Sequence, residues 1–268
     1  MSRRRSAVPR LLFIPAGLAV ALFTLPVVAL VLRAPWGEFG SILRGGDTGR
    51  AVGLSLVTSL ITTGIALVIG VPLALALART RLPGRRLILA MCTLSMVLPP
   101  VVAGVALLSV LGRRAPLGRL LDDWFGVTIP FTGAAVVIAQ LFVAMPFLIV
   151  TIESALGSVD RTPEEMARTL GARPWRVLAT VTLPSVRSAV LAGVVLTWAR
   201  AIGEFGATIT FAGNLPGVTR TLPTETYLAL QDDPDRALML AVIQVAVCLG
   251  VLVALRRRWV PVITGGRP

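Results

Sequence analysis

Asp160–Pro184, DRTPEEMARTLGARPWRVLATVTLP, is the longest charged stretch in an otherwise apolar chain. Thr162 suits a helix N-cap, Pro163 the first helical position, and Glu165 stands three residues after the cap. This spacing predicts a capping box: the Thr162 hydroxyl accepts from the Glu165 N–H, and the Glu165 carboxylate reaches back to the Thr162 N–H. Glu164 and Glu165 both face the positive end of the helix dipole. Gly171 ends the helix, because glycine takes a left-handed turn at little cost. Pro174 opens a second helix that runs through Trp175 and Leu178 toward Pro184. Local chemistry alone fits a short helix, a glycine turn and a second helix, and a capped surface hairpin would satisfy it.

The chain has 268 residues, 55% of them hydrophobic, with a mean hydropathy of +0.84. That is too apolar for an ordinary soluble domain and points to a multi-pass membrane protein. The net charge of +13 comes entirely from arginine, since the sequence has no Lys and no His. Without Lys there is no GxxxxGK[ST] run, so the chain is not itself a conventional P-loop ATPase. Without His there is no HExxH zinc site and no Ser-His dyad. Cys92 and Cys248 lie in apolar runs and read as small core residues, not a disulfide or metal pair. No catalytic residues and no metal site are assigned.

Six apolar runs are long enough to cross a bilayer, near 11–32, 51–78, 87–111, 129–152, 186–207 and 237–255. The first follows a basic start and no Ala-x-Ala site follows it, so it reads as a retained span and not a cleaved signal. Pro72, Pro99-Pro100 and Pro146 fall inside runs and should kink or break them. With no internal repeat and no long linker, 1–268 reads as one domain with its core near 50–255.

Arginine placement tests the topology. With the N-terminus inside, the cytoplasmic segments hold Arg3, Arg4, Arg5 and Arg10, then Arg79, Arg81, Arg85 and Arg86, then Arg161, Arg168, Arg173, Arg176 and Arg187, and finally Arg256, Arg257, Arg258 and Arg267. Against these 17, the outer segments hold 8: Arg33, Arg44, Arg50, Arg113, Arg114, Arg119, Arg220 and Arg236. The bias predicts both termini in the cytoplasm and puts the Asp160–Pro184 loop there too. It also accounts for the net charge without a nucleic-acid partner.

The loop resembles the EAA loop of ABC-importer permeases. That pattern reads Glu-Ala-Ala, three residues, Gly, nine residues, Ile, one residue, Leu-Pro; here it is Glu165-Met166-Ala167, Gly171, Val181 and Leu183-Pro184, every spacing kept. Met166 and Val181 are mild apolar departures. The resemblance implies a coupling helix that docks into a separate ATPase subunit, with Glu164, Glu165, Ala167, Leu170 and Gly171 as coupling residues. Glu165 would be cap and docking charge, Ala167 and Leu170 the apolar docking face, and Gly171 the turn.

The fifth run carries Arg200 and Glu204, four apart and therefore on one helix face. Ionisable residues within a span mark either a buried pair or a pathway, and both readings stand here, the second placing them at the outer end of that span. Gly203 and Gly206 permit close packing or a helix break. The loop that follows, from Phe211 to Pro223, is rich in turn formers and offers donors near Gly213, Gly217, Thr219, Arg220 and Thr221 that suit an oxyanion. ARAIGEFGATITFAGNLPGVTRTLP looks very like the corresponding segment of molybdate-importer permeases and less like that of sulfate importers. Leu98-Pro99-Pro100-Val101-Val102-Ala103-Gly104 and Gly70-Val71-Pro72-Leu73-Ala74 fit the same family, so the resemblance covers about 50–230.

The resemblance implies an all-α membrane protein of about six transmembrane helices with the core of type I ABC-importer permeases of the methionine-importer kind. It implies a homodimer in the cytoplasmic membrane, an ATPase subunit that uses ATP and Mg inside, and an oxyanion-binding protein outside. The chain itself would bind no cofactor. Arg200, Glu204, Thr208, Asn214 and Thr219 are the expected passage and gate residues, and molybdate, with tungstate, the expected cargo. A sulfate permease is the rival within the class and an ion-coupled secondary transporter the rival outside it.

Overall fold

The computed structural model describes residues 9–263, so Arg3, Arg4, Arg5 and Arg267 of the topology count lie outside the described residues. All regular structure among the described residues is helical. In chain order the helices are α1 (Phe13–Arg33), α2 (Phe39–Arg44), α3 (Gly46–Arg79), α4 (Arg85–Val97), α5 (Pro100–Leu111), α6 (Pro116–Phe125) and α7 (Gly133–Ser158). They continue with α8 (Thr162–Thr169), α9 (Pro174–Val177), α10 (Leu183–Ser185), α11 (Arg187–Ile202), α12 (Gly206–Phe211), α13 (Leu222–Asp232) and α14 (Pro234–Ile263).

Four helices, α1, α3, α7 and α14, are singly long and apolar enough to cross a membrane. Two bent pairs raise the number to six if each counts as one span: α5 with α6, bent by 48°, and Pro174–Ser185 with α11, bent by 72°. The expected third span over 87–111 is therefore not one helix. It breaks at Leu98-Pro99, because a proline pair removes two backbone donors and forces the preceding residues out of the α region. Pro72 and Pro146 sit inside unbroken helices.

The centre of the bundle is α3, α7 and α11. The inward face of α3 is made of small residues at helical spacing, including Ser55, Ser59, Ala66, Gly70 and Ala74. Small side chains let helices approach where lipid gives no hydrophobic drive for association. A Cβ on Gly70 would lie 3.4 Å from Met145, Leu148 and Ile149, and one on Gly193 would lie 2.8 Å from Leu148 Cδ1. A fully paired polar clasp joins α3 to α7: Thr62 donates to Gln140 Oε1 (2.9 Å), and Gln140 Nε2 donates to Thr58 Oγ1 (3.2 Å). A second cluster packs α5, α7 and α12 through Ala103, Val136, Val143 and Phe211, and a third joins α13 to α14 through Leu222, Met239 and Leu240. Helix α1 buries none of its 21 residues among the described residues, so its apolar surface needs lipid or another subunit around it.

Candidate functional site

Two places on this frame matter, the Asp160–Pro184 loop and the pair of helix breaks. The loop begins where α3 and α7 end. Asp160, not Thr162, caps α8: its Oδ1 accepts from the Thr162 N–H (3.0 Å) and from the Thr162 hydroxyl (2.8 Å). Those two bonds, the backbone one foremost, hold the exposed Asp160 carboxyl below its ordinary pKa. The expected capping box is absent, since the Glu165 N–H goes to the Arg161 carbonyl (3.0 Å) and Glu165 is exposed. A carboxylate two residues upstream displaced the Glu165 carboxylate from the Thr162 N–H.

The helix end follows expectation. Gly171 has φ +82°; its N–H bonds the Arg168 carbonyl (2.9 Å) and the Ala172 N–H bonds the Ala167 carbonyl (3.0 Å). These are the two bonds of a Schellman motif. Past the turn, Pro174–Val177 is α-helical, Leu178–Thr182 widens to a π turn, and the chain bends at Val186 into α11.

Burial sorts the loop into two faces. Glu164 turns inward, 6% exposed at its side chain, and pairs with Arg79 at 2.9 Å. Val177 and Thr182 are buried beside it, around a cavity of about 190 Å³. Outward stand Leu170 (86% exposed), Trp175 (77%) and Met166 (59%), with Ala167 half-buried. Of the residues expected to couple, Glu165 and Leu170 are thus on the free surface and Glu164 is not. Met166 and Trp175 join Leu170 as large apolar side chains with no cover among the described residues, and the sequence did not separate them from their neighbours.

The second place lies deeper. Helix α11 ends at Ile202, and Gly203 follows it. Sixteen residues at 1.5 Å each put this end roughly 24 Å from Arg187, and α4, also rising from the loop end, spans roughly 20 Å to its own break at Leu98-Pro99. The two breaks touch: a Cβ on Gly206 would fall 2.6 Å from Pro100 Cβ and 3.2 Å from Val101 N. Gly104 is equally tight against Thr210 of α12, at 2.6 Å. The break after α11 is therefore packed against a second one within the bundle.

Arg200 and Glu204 hold this break together. Arg200 Nη1 lies 2.5 Å from Glu204 Oε2, without the alignment of a hydrogen bond, so the contact is an ion pair. Glu204 Oε1 accepts from the Ala207 N–H (2.8 Å) in the first turn of α12. Glu204 is 1% exposed and Arg200 27%. Thr208 is fully buried, and its hydroxyl has no partner among the described residues.

Several polar groups of the loop over 211–223 are bonded within the chain. The Thr219 hydroxyl accepts from the Leu215 N–H (2.9 Å), and the Asn214 carbonyl accepts from Arg220 Nε (3.0 Å). Arg220 Nη1 reaches the buried Glu225 carboxylate (3.3 Å), which also pairs with Arg236, and the Thr221 hydroxyl bonds that of Thr224 (3.1 Å). Thr219 and Thr221 are buried, and Arg220 is therefore not the free donor its type suggested. Glu225 explains it: a carboxylate five residues beyond Arg220 and eleven before Arg236 claims both guanidiniums.

Residues 66–262 match the family model described as a binding-protein-dependent transport system inner membrane component. The molybdenum transport system permease protein ModB of Mycobacterium bovis is 43% identical over 247 residues, 91% of this chain and 93% of the relative. A probable molybdenum ABC transporter permease protein of Haloferax volcanii is 38% identical over 262 residues, 94% of this chain and 93% of the relative. The fold is also that of a bacterial ABC transporter involved in the import of the acidic polysaccharide alginate, with a TM-score of 0.73, 17% identity and 92% of each chain covered. A multi-pass helical frame, an inward-anchored loop with a bare apolar face and a match across nine-tenths of two relatives agree: the chain belongs to the binding-protein-dependent inner-membrane transport components, among the molybdenum-transport permeases.

Proposed function

We propose that this chain is the membrane-spanning subunit of an ATP-driven importer and passes molybdate, with tungstate as co-substrate, into the cell. The observation that carries the substrate is the 43% identity, over 91% of the chain, to a molybdenum transport permease. The ATP-driven class draws support from the loop. An apolar face of Met166, Leu170 and Trp175 standing free at the end of a bundle calls for an apolar partner surface. In this reading the partner is an ATPase subunit, which uses ATP and Mg, since the chain has no P-loop lysine of its own. Two copies of the chain pair in the membrane with both termini inside, as the arginine bias favours. An oxyanion-binding protein delivers cargo to the other side.

Transport follows by alternating access. Nucleotide brings the two ATPase subunits and their loops together, the passage opens outward, and hydrolysis resets it; the nucleotide biases a two-state interface. The touching breaks of α4/α5 and α11/α12 supply non-helical backbone inside the bundle, the feature by which many transporters form a passage. Glu204 and Arg200 act there as the brace of the break, with Thr208 beside them as a free hydroxyl.

Labelled molybdate uptake in cells with and without the chain tests the reading. Uptake that disappears with the chain, and that unlabelled tungstate but not sulfate suppresses at low concentration, is the expected result. Unchanged molybdate uptake with a fall in sulfate uptake would keep the transport class and overturn the cargo.

A further inference from the structure

The contacts of Arg79 exceed what the arginine bias requires of it. It is the last residue of α3, where a cation is favoured by the free carbonyls at a helix C-terminus. Its guanidinium is nearly buried, with 12% of the side chain exposed. Nη1 donates to the Leu156 carbonyl in the last turns of α7 (2.9 Å), and Nη2 donates to Glu164 Oε1 in the first turn of α8 (2.9 Å). One side chain thus joins the ends of the two central helices to the loop helix. A second strand of the same joint runs beside it: Arg161 Nη2 donates to the Ala78 carbonyl (3.1 Å).

The other limb of the loop is built differently. Between Pro174 and α11 lie the π turn Leu178–Thr182 and the 72° bend at Val186. A π turn has one residue too many for the α ladder, and such turns and bends take up displacement more easily than a continuous helix. The loop is therefore tied to α3 and α7 by side-chain bonds at α8 and joined to α11 through irregular backbone at the Pro174–Ser185 limb.

We infer that Arg79 is a positioning residue for transport: its pairing with the buried Glu164 transmits displacement of the loop into α3 and α7, and Glu164 serves this joint and not the partner surface. This rests on the ATPase-docking reading of the loop. The physical reason is the geometry of Arg79, whose fork gives two charge-assisted bonds to two different elements and so fixes direction as well as distance. A lysine at 79 is a point charge on a flexible stem and would hold only one of them well.

The test uses the full complex in vesicles: this chain, its ATPase subunit and a molybdate-loaded binding protein. Two quantities are read, the amount of ATPase subunit held by the complex and the molybdate moved per ATP hydrolysed. Arg79→Gln should hold as much ATPase subunit as the unaltered chain while molybdate per ATP falls roughly tenfold. Arg79→Lys should fall between them. Glu164→Gln, which keeps the shape and an acceptor but not the charge, should move in the same direction. The double variant Arg79→Gln with Glu164→Gln should be no worse than Arg79→Gln alone, because both remove one joint. An unchanged molybdate-to-ATP ratio in Arg79→Gln, or losses that add in the double variant, would overturn the inference. Loss of the ATPase subunit from Arg79→Gln would overturn it too, by making the joint a support of the docking face. If Arg79→Gln does not reach the membrane, the ratio in Glu164→Gln decides in the same way. Should the unaltered chain capture no ATPase subunit, the functional reading itself fails, and the inference with it.

Discussion

Gly171 offers the sharpest test of the loop. Its φ of +82° lies where residues with a Cβ are strained, and beyond its chain neighbours no described residue stands within 4 Å of where its Cβ would be. Any cost of substitution within the chain is therefore backbone cost and not a clash. For an ordinary L-residue the left-handed region costs about 1–2 kcal/mol, and a β-branched residue is worse placed still. The turn is held by the two bonds to the Arg168 and Ala167 carbonyls, each of net worth about 1 kcal/mol. The strain of a valine thus equals or exceeds what holds the turn, and a penalty of about 2 kcal/mol lowers the population of the closed turn roughly thirtyfold. Asparagine tolerates this region better than alanine does. Capture of the ATPase subunit in mild detergent and molybdate uptake should therefore rank Gly171 first, then Gly171→Asn, Gly171→Ala and Gly171→Val, with similar amounts of each in the membrane. A purely steric effect on the docked partner predicts the reverse order for the middle two, because asparagine is larger than alanine. Valine equal to glycine in both assays, or alanine above asparagine, refutes the backbone reasoning.

Two further predictions concern the helix breaks. Arg200→Ala leaves the Glu204 carboxylate, 1% exposed, without its cation, a loss of about 3–5 kcal/mol where a buried pair is broken from one side. The double variant with Glu204→Gln removes that stranded charge and keeps an acceptor for the Ala207 N–H, so its thermal midpoint in detergent should lie above that of Arg200→Ala; a lower midpoint would sink the idea. Gly206→Ala forces a Cβ to 2.6 Å from Pro100 Cβ and 3.2 Å from backbone atoms that cannot rotate away, which should cost about 1–3 kcal/mol. Gly64→Ala on α3, where no atom lies within 4 Å, is the control and should not lower the midpoint; equal midpoints for the two variants would count against the packed joint.

What could be read from the sequence was whatever depended on neighbours along the chain. Four of the six apolar runs, the Gly171 turn, the Arg200–Glu204 spacing and the helix start at Pro174 all rest on contacts within a few residues, and the structure has each of them. The failures have one cause, competition from groups the local pattern does not rank. Asp160 took the Thr162 N–H assigned to the Glu165 carboxylate, and Glu225 took the arginine assigned to an anion. Arg79 counted only as one of 17 basic residues, because its partner is 85 positions away and no helical spacing connects them. Pro99-Pro100 did announce a disturbance, but Pro72 and Pro146 announced one equally and stayed inside continuous helices. A pair of prolines defeats the helix where a single one does not, since neighbouring helices can satisfy one freed carbonyl more easily than two.

The two functional places are joined by one element. Helix α11 starts at the bend that closes the loop and ends at the break that Glu204 braces, and it packs along its length against α3 and α7. A rod fixed at both sides by a close-packed core cannot bend to absorb a push at one end, because interiors at crystal-like density resist compression. Displacement of the loop can then go only into its compliant limb or along the bundle. The Arg79–Glu164 joint closes the first route at α8, and the π turn leaves it partly open before α11. How far the breaks move for a given movement of the loop is set by the ratio of those two stiffnesses. That ratio is what substitution at Arg79 alters while the outward face of Met166, Leu170 and Trp175 stays as it is.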